Sequence, residues 1–169
     1  MDFGLMLLRV TVGLTMSAHG AQKLFGWFNG PGIEGTARGM EALGFHPGKR
    51  HATIAGLTEF GGGLMLALGL VTPLGAALVA SVMLVAALSA HVKQGFFMTA
   101  GGYEYTLVLG VAAVTLAFVG PGAFSVDALV GLPVTGVVSG ALAVFVALLG
   151  GTFQLAQRHT APAGEPAKA

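Results

Sequence analysis

Cysteine is absent from this chain of 169 residues, and charge is scarce: Asp, Glu, Lys and Arg together make up 9% of it. Water-facing domains usually carry about 25% charged residues, so this chain has too few to coat a soluble surface. Without cysteine there is no disulfide scaffold, thiolate metal site, iron–sulfur cluster or cysteine nucleophile. A net charge of +1 also leaves almost nothing with which to grip the phosphates of a nucleic acid. Apolar residues dominate instead, at 54% with 28 glycines and a mean hydropathy of +0.82. Such a chain is not disordered. It reads as an all-α integral membrane protein.

A spanning helix needs roughly 20 mostly apolar residues. Five runs qualify: residues 3–21, interrupted by Arg9; 52–70, interrupted by Glu59; 74–92; 103–119; and 134–155, which carries no charge. Thr72-Pro73 separates the second and third runs, because proline fixes its own φ and keeps the preceding residue out of the helical region. The N-terminal run lacks a basic segment before it and a clean small-residue cleavage site, so it reads as a retained span rather than a signal peptide. Within the hydrophilic connection 22–50, Ile33, Ala37, Met40 and Leu43 recur at helical spacing and predict a short interfacial helix. Residues 158–169 read as a disordered tail rich in Ala, Pro and Gly.

Charge orients this set of spans. Lys23, Arg38, Lys49, Arg50, Lys93, Arg158 and Lys168 fall on one side, and the opposite side has no Lys or Arg. Basic loops stay cytoplasmic, which predicts a cytoplasmic C-terminus and an N-terminus outside. Phe25, Trp27, Phe28, Phe96, Phe97, Tyr103 and Tyr105 gather at the same basic interface.

Ionisable residues inside apolar runs rarely face lipid, since each costs about 2.5–3.5 kcal/mol even on the mildest scale. Arg9, Val12, Met16, His19 and Lys23 share one helical face. Glu59 lies on the stripe Ala52, Gly56, Glu59, Gly63, Ala67, whose small residues mark close helix packing. His91 ends the third run and Glu104 opens the fourth. At 1.5 Å per residue, Arg9 and Glu59 come out at a similar depth, about 10–15 Å from the basic side, which predicts an Arg9–Glu59 pair near the midplane. His19, His91 and Glu104 would form a second polar layer nearer the surface. The pair reads equally well as a device that only sets helix register, and both histidines also suit the headgroup zone. Glu104 suits a helix N-terminus. Four such positions on four helices at matching depths nevertheless point to a polar cavity within the membrane. The stripe Gly136, Gly140, Ala143, Ala147, Gly151 in the last run is a packing face.

At these residues the chain resembles the DoxX family of small bacterial inner-membrane proteins. The resemblance rests on Leu8-Arg9-Val10 with Gly13, on Ala18-His19-Gly20-Ala21-Gln22-Lys23-Leu24-Phe25-Gly26 and on Gly30-Pro31-Gly32. It continues in Glu59-Phe60-Gly61-Gly62-Gly63, Thr72-Pro73, His91 with Gly95-Phe96-Phe97, and Gly101-Gly102-Tyr103-Glu104-Tyr105, covering residues 5–129. It implies a four-helix membrane domain over 1–129, to which 130–157 adds a fifth transmembrane helix. Through the members that gave the family its name, it also implies a subunit of a thiosulfate:quinone oxidoreductase.

Two functions of different class follow. In the first, the cavity binds a quinone headgroup as a redox-active ligand, His19, Glu59, His91 and Glu104 relay protons, and Arg9, Lys23 and Tyr103 contact the ligand. In the second, the chain is a non-catalytic membrane scaffold that anchors soluble redox enzymes. Transport of a small solute is a third alternative. A b-type haem on the two histidines, or a metal on His19, His91, Glu59 and Glu104, is chemically allowed, although the adjacent Lys and Arg oppose a cation. The expected partners are the lipid bilayer, other proteins of a membrane redox complex and a second copy of the chain. Lacking cysteine, the chain cannot carry a protein persulfide, which places any sulfur half-reaction on a partner.

Overall fold

Helices account for most of the described backbone, as the long apolar runs require. The structure, a computed structural model, describes residues 1–132 and 134–159; the expected tail from residue 160 onward lies outside the described residues. The elements in order are α1 (Asp2–Phe25), α2 (Gly32–Ala42), α3 (Gly48–Leu68), α4 (Thr72–Ala86), α5 (Glu104–Val119), α6 (Val126–Leu129) and α7 (Val137–Ala156). Beyond Ala86 the chain continues through a π-helical turn, Ala87–His91, and a 3-10 turn, Val92–Gln94. Each long helix coincides with an expected apolar run, and α2 is the short helix expected in the first loop.

Small residues set the packing. A Cβ on Gly13 would lie 2.5 Å from both the Ala67 nitrogen and the Gly63 carbonyl oxygen, and one on Gly20 would lie 2.4 Å from the Phe60 nitrogen. The α1 and α3 backbones therefore touch, at glycines that leave no room for a side chain. Gly62 and Gly75 bring α3 against α4 in the same way. α5 packs on α4, and its first turns return to α1. α7 lies against α4 and α5 through its buried stripe Gly140, Ala143, Ala147 and Gly151, the face expected from its spacing.

Met16, Leu66, Val79, Ala113 and Leu116 fill the centre of the bundle. The outside is also apolar: Leu7, Val108, Leu142, Phe145 and Phe153 all stand exposed, Phe145 at 63%. Water would penalise such a surface, whereas hydrocarbon would not. Thr72–Gln94, at 23 residues, and Val137–Ala156, at 20, are long and apolar enough to cross a membrane, and Glu104–Val119 is apolar but shorter. α1 and α3 are 24 and 21 residues long, but charged and polar side chains lower their mean hydropathy.

Candidate functional site

The expected pairing of Arg9 with Glu59 does not occur. The glycine contacts fix the register so that Arg9 sits beside Ala67, two helical turns along α3 from Glu59. Its Nη1 donates to the Ala67 carbonyl at 2.9 Å and its Nη2 to that of Phe124, while Nε has no partner among the described residues. The balancing charge is Asp127, a completely buried residue of α6. Its carboxylate accepts from the Val71 nitrogen at 2.6 Å, the Thr72 nitrogen at 2.8 Å and the Thr72 hydroxyl at 2.7 Å. Asp127 thereby caps α4 from a distant point in the sequence, and Arg9 ties α1 to the same corner. Nothing in the local pattern separated Asp127 from an ordinary polar loop residue.

Glu59 instead meets Lys23. A lysine at the end of α1 can bend back along the helix, because Cβ tilts toward the N-terminus and the stem is flexible. Its Nζ rests on Glu59 Oε2, with side chains 25% and 4% exposed respectively. Oε1 of Glu59 has no partner among the described residues, and Glu59 borders a cavity of about 440 Å³ between α3, α4 and α7. Ligand pockets commonly occupy about 300–1,000 Å³, so this one is large enough for a small molecule. Ile54, Leu78, Val82, Val85 and Phe153 make most of its wall apolar; besides the ion pair, Arg50, Thr58, His91 and Gln154 supply polar groups.

His91 enters this wall from the π-helical turn, where Ser89 donates back to the Val85 carbonyl at 2.6 Å. π turns redirect side chains and recur at functional positions. His91 Nδ1 lies 2.7 Å from the Gly101 carbonyl, which can only accept, so Nδ1 carries the hydrogen and in the neutral ring Nε2 is the acceptor.

The other expected members lie elsewhere. His19 Nε2 lies 3.1 Å from the Tyr105 hydroxyl, with the rings 5.8 Å apart, and this pair couples α1 to α5 without lining the cavity. Tyr105 was visible in the sequence only as an interfacial aromatic and as the end of a motif, not as the partner of His19. Glu104 accepts from the Met98 nitrogen at 3.0 Å and closes the loop before α5. Tyr103 stacks edge-on against Phe96 and lines a separate apolar groove of about 320 Å³ between α4, α5 and α7. His19, His91 and Glu104 thus each bond a different partner rather than one another. Among the described residues no three His, Asp or Glu side chains converge to hold a metal ion, so the metal alternative built on His19, Glu59, His91 and Glu104 has no geometry behind it.

Two further contact sets tie neighbouring elements together. The end of α7 is tied to the first turn of α3 and the loop before it: Gln154 lies 2.6 Å from His51 Nδ1, Arg158 Nε donates to the Leu43 carbonyl, and the His159 nitrogen donates to the Gly44 carbonyl at 2.8 Å. On the exposed surface Lys49 meets Glu34 at 2.6 Å, and this contact holds the Glu34 carboxyl below its ordinary value.

A helical bundle with an apolar exterior and buried charges joined across its helices defines a membrane protein. The DoxX family model matches residues 4–92, a little over half of the sequence, and the chain belongs to that family. No curated protein and no solved structure matches it. The match takes in Lys23, Glu59 and His91, whereas α7, which walls the cavity on one side, lies beyond it.

Proposed function

We propose that the protein is a membrane subunit of a quinone-linked oxidoreductase and that the cavity between α3, α4 and α7 receives the quinone headgroup. α1, α3, α4, α5 and α7 span the bacterial inner membrane in this reading, with α2 at the interface, the N-terminus outside and the C-terminus cytoplasmic. Seven Lys and Arg on one side against none on the other support that orientation. The observation that carries the functional reading is a mostly apolar cavity bordered by the Lys23–Glu59 ion pair, whose second carboxylate oxygen has no protein partner among the described residues. An isoprenoid-like tail suits the apolar wall, and a headgroup that both accepts and donates hydrogen bonds suits the pair.

Reducing a quinone to a quinol takes two electrons and two protons. The electrons come from a donor on a partner protein, where a thiosulfate-type half-reaction would also reside, as the family resemblance implies. On this chain, Lys23 keeps donors for a ligand oxygen besides the one spent on Glu59, and its charge favours the anion that develops there. Glu59 Oε1 can take a hydroxyl hydrogen or give a proton at the same place. His91 Nε2 offers a second acceptor.

A short-chain quinone titrated into the purified protein tests the reading. A ligand that prefers the native state raises the melting temperature by mass action, so a saturable rise is expected. An unchanged melting curve at saturating quinone would reject the site and leave the chain as a membrane scaffold for redox enzymes.

A further inference from the structure

The cavity is not the only space that reaches Lys23. A second groove of about 360 Å³ runs between α1 and α2, bordered by Gln22, Lys23, Thr36 and Gly39. Lys23, Met40 and Leu43 border both spaces, so these three side chains form the partition between them. The groove opens beside the charged outer face of α2, where Glu34, Arg38 and Glu41 are exposed together with Gly39, on which a Cβ would meet nothing within 4 Å. On the other side of the partition the Glu59 carboxylate is buried and faces the apolar cavity.

We propose that the α1–α2 groove is the aqueous entrance to the Lys23–Glu59 pair, so that water and protons reach the cavity from the basic side past Lys23, Met40 and Leu43. What the protons serve rests on the quinone reading, but the route itself does not. The partition is made of flexible side chains rather than backbone. Lysine and methionine stems swing aside at little cost, whereas the touching backbones of α1 and α3 leave no such gap. Each proton that Glu59 gives to a ligand oxygen is replaced from water through the groove. Lys23 is in this sense a positioning residue, holding the carboxylate where both spaces meet. His19 and His91 are not needed as the entrance: the first is occupied with Tyr105, and the second is held by the Gly101 carbonyl and does not border the groove.

The absence of cysteine makes the route directly measurable. Gly39→Cys, Met40→Cys, Leu43→Cys and Val111→Cys are each placed in lipid nanodiscs and treated with a trimethylammonium methanethiosulfonate. A side chain reached only by local opening reacts more slowly by orders of magnitude. Met40→Cys is expected to react within about tenfold of Gly39→Cys, a difference of ~1.4 kcal/mol at most. Val111→Cys, exposed on the apolar outside, marks the slow limit. If Met40→Cys and Leu43→Cys are both as slow as Val111→Cys, the entrance does not exist. Should Met40→Cys fail to fold, Leu43→Cys alone decides. Short-chain quinone separates the two readings: slower labelling of Met40→Cys but not Gly39→Cys supports both. Fast labelling with neither protection nor a rise in melting temperature keeps the entrance and rejects the quinone.

Discussion

Lys23 of α1 and Glu59 of α3 join their helices through an ion pair in which the carboxylate is buried and the ammonium is a quarter exposed. The two partners are therefore unequal. Lys23 can turn toward the groove and water if it loses its partner, whereas Glu59 forms no second ion pair among the described residues. A buried charge left alone is the costly outcome, and breaking a buried pair typically costs about 3–5 kcal/mol.

Removing the lysine should accordingly hurt more than removing the acid. Lys23→Met strands the carboxylate and should approach the lower end of that range, while Glu59→Gln should cost less. The double variant should be more stable than Lys23→Met alone, because no charge is left unpaired. Denaturation in detergent around a double-mutant cycle measures this coupling. The same cycle on Arg9 and Glu59 should return additive losses, since the two residues do not meet; coupling there would contradict the register set by Gly13 and Gly20.

That register explains what the sequence could and could not disclose. The helices, the packing stripe of α7 and the inward position of Arg9, Lys23 and Glu59 all follow from hydrophobic spacing. Depth does not follow as well. Counting residues from the edge of an apolar run put Arg9 level with Glu59, but Gly13 against Gly63 and Ala67 places it about two turns away. Lys23 was visible as a contact of the site, yet its reach back to Glu59 depends on a flexible stem that no periodicity records. Asp127 and Tyr105 came from loops or helix starts whose three-dimensional partners lie 55 or more positions away. Such pairings are tertiary facts.

The Asp127 corner stores strain. Val71 has a φ of 42°, in the left-handed region that a β-branched residue seldom adopts, and Asp127 holds it there through the Val71 nitrogen. Strain of this kind costs about 1–3 kcal/mol, so Val71→Gly should raise the melting temperature despite the extra freedom of the unfolded chain. Asp127→Asn should act oppositely. It removes the charge that balances Arg9 and weakens three bonds, each hydrogen bond to a charged group being worth about 1.5–3 kcal/mol. Thermal melts of the two variants check both signs; a stabilising Asp127→Asn would mean that Arg9 is balanced elsewhere.

Acid should report on the outer surface. Lys49 holds the Glu34 carboxyl below its ordinary value, first through the hydrogen bond and then through charge. A depressed carboxyl contributes stability above the ordinary value of 4.5 and loses it as pH falls through the lowered folded value. Both side chains are about two-thirds exposed, so the contribution is small and screened by salt. Melting curves of the wild type and Glu34→Gln should therefore separate slightly at neutral pH in low salt and converge in acid. Separation that grows in acid would reverse the sign and exclude the pairing as its cause.

The ligand prediction depends on which residues line the cavity and which only neighbour it. Ala86 is part of the wall, and a larger side chain there takes up space a headgroup would use. Ala86→Leu should reduce the rise in melting temperature caused by short-chain quinone while leaving the unliganded protein folded. Glu59→Gln keeps the shape of the carboxylate but removes its charge, so it should also weaken the rise, and more strongly for the quinol, which donates hydrogen bonds. His19→Ala removes the contact with the Tyr105 hydroxyl outside the cavity, and should lower stability without changing the quinone-induced rise. The spacing of ionisable residues alone would have given His19 and Glu59 equal weight at the ligand. Titrating all three variants with quinone and quinol in the same thermal assay separates those cases. A loss of the quinone effect in His19→Ala, with Glu59→Gln unaffected, would move the headgroup out of the α3–α4–α7 cavity and toward the interface of α1 with α5.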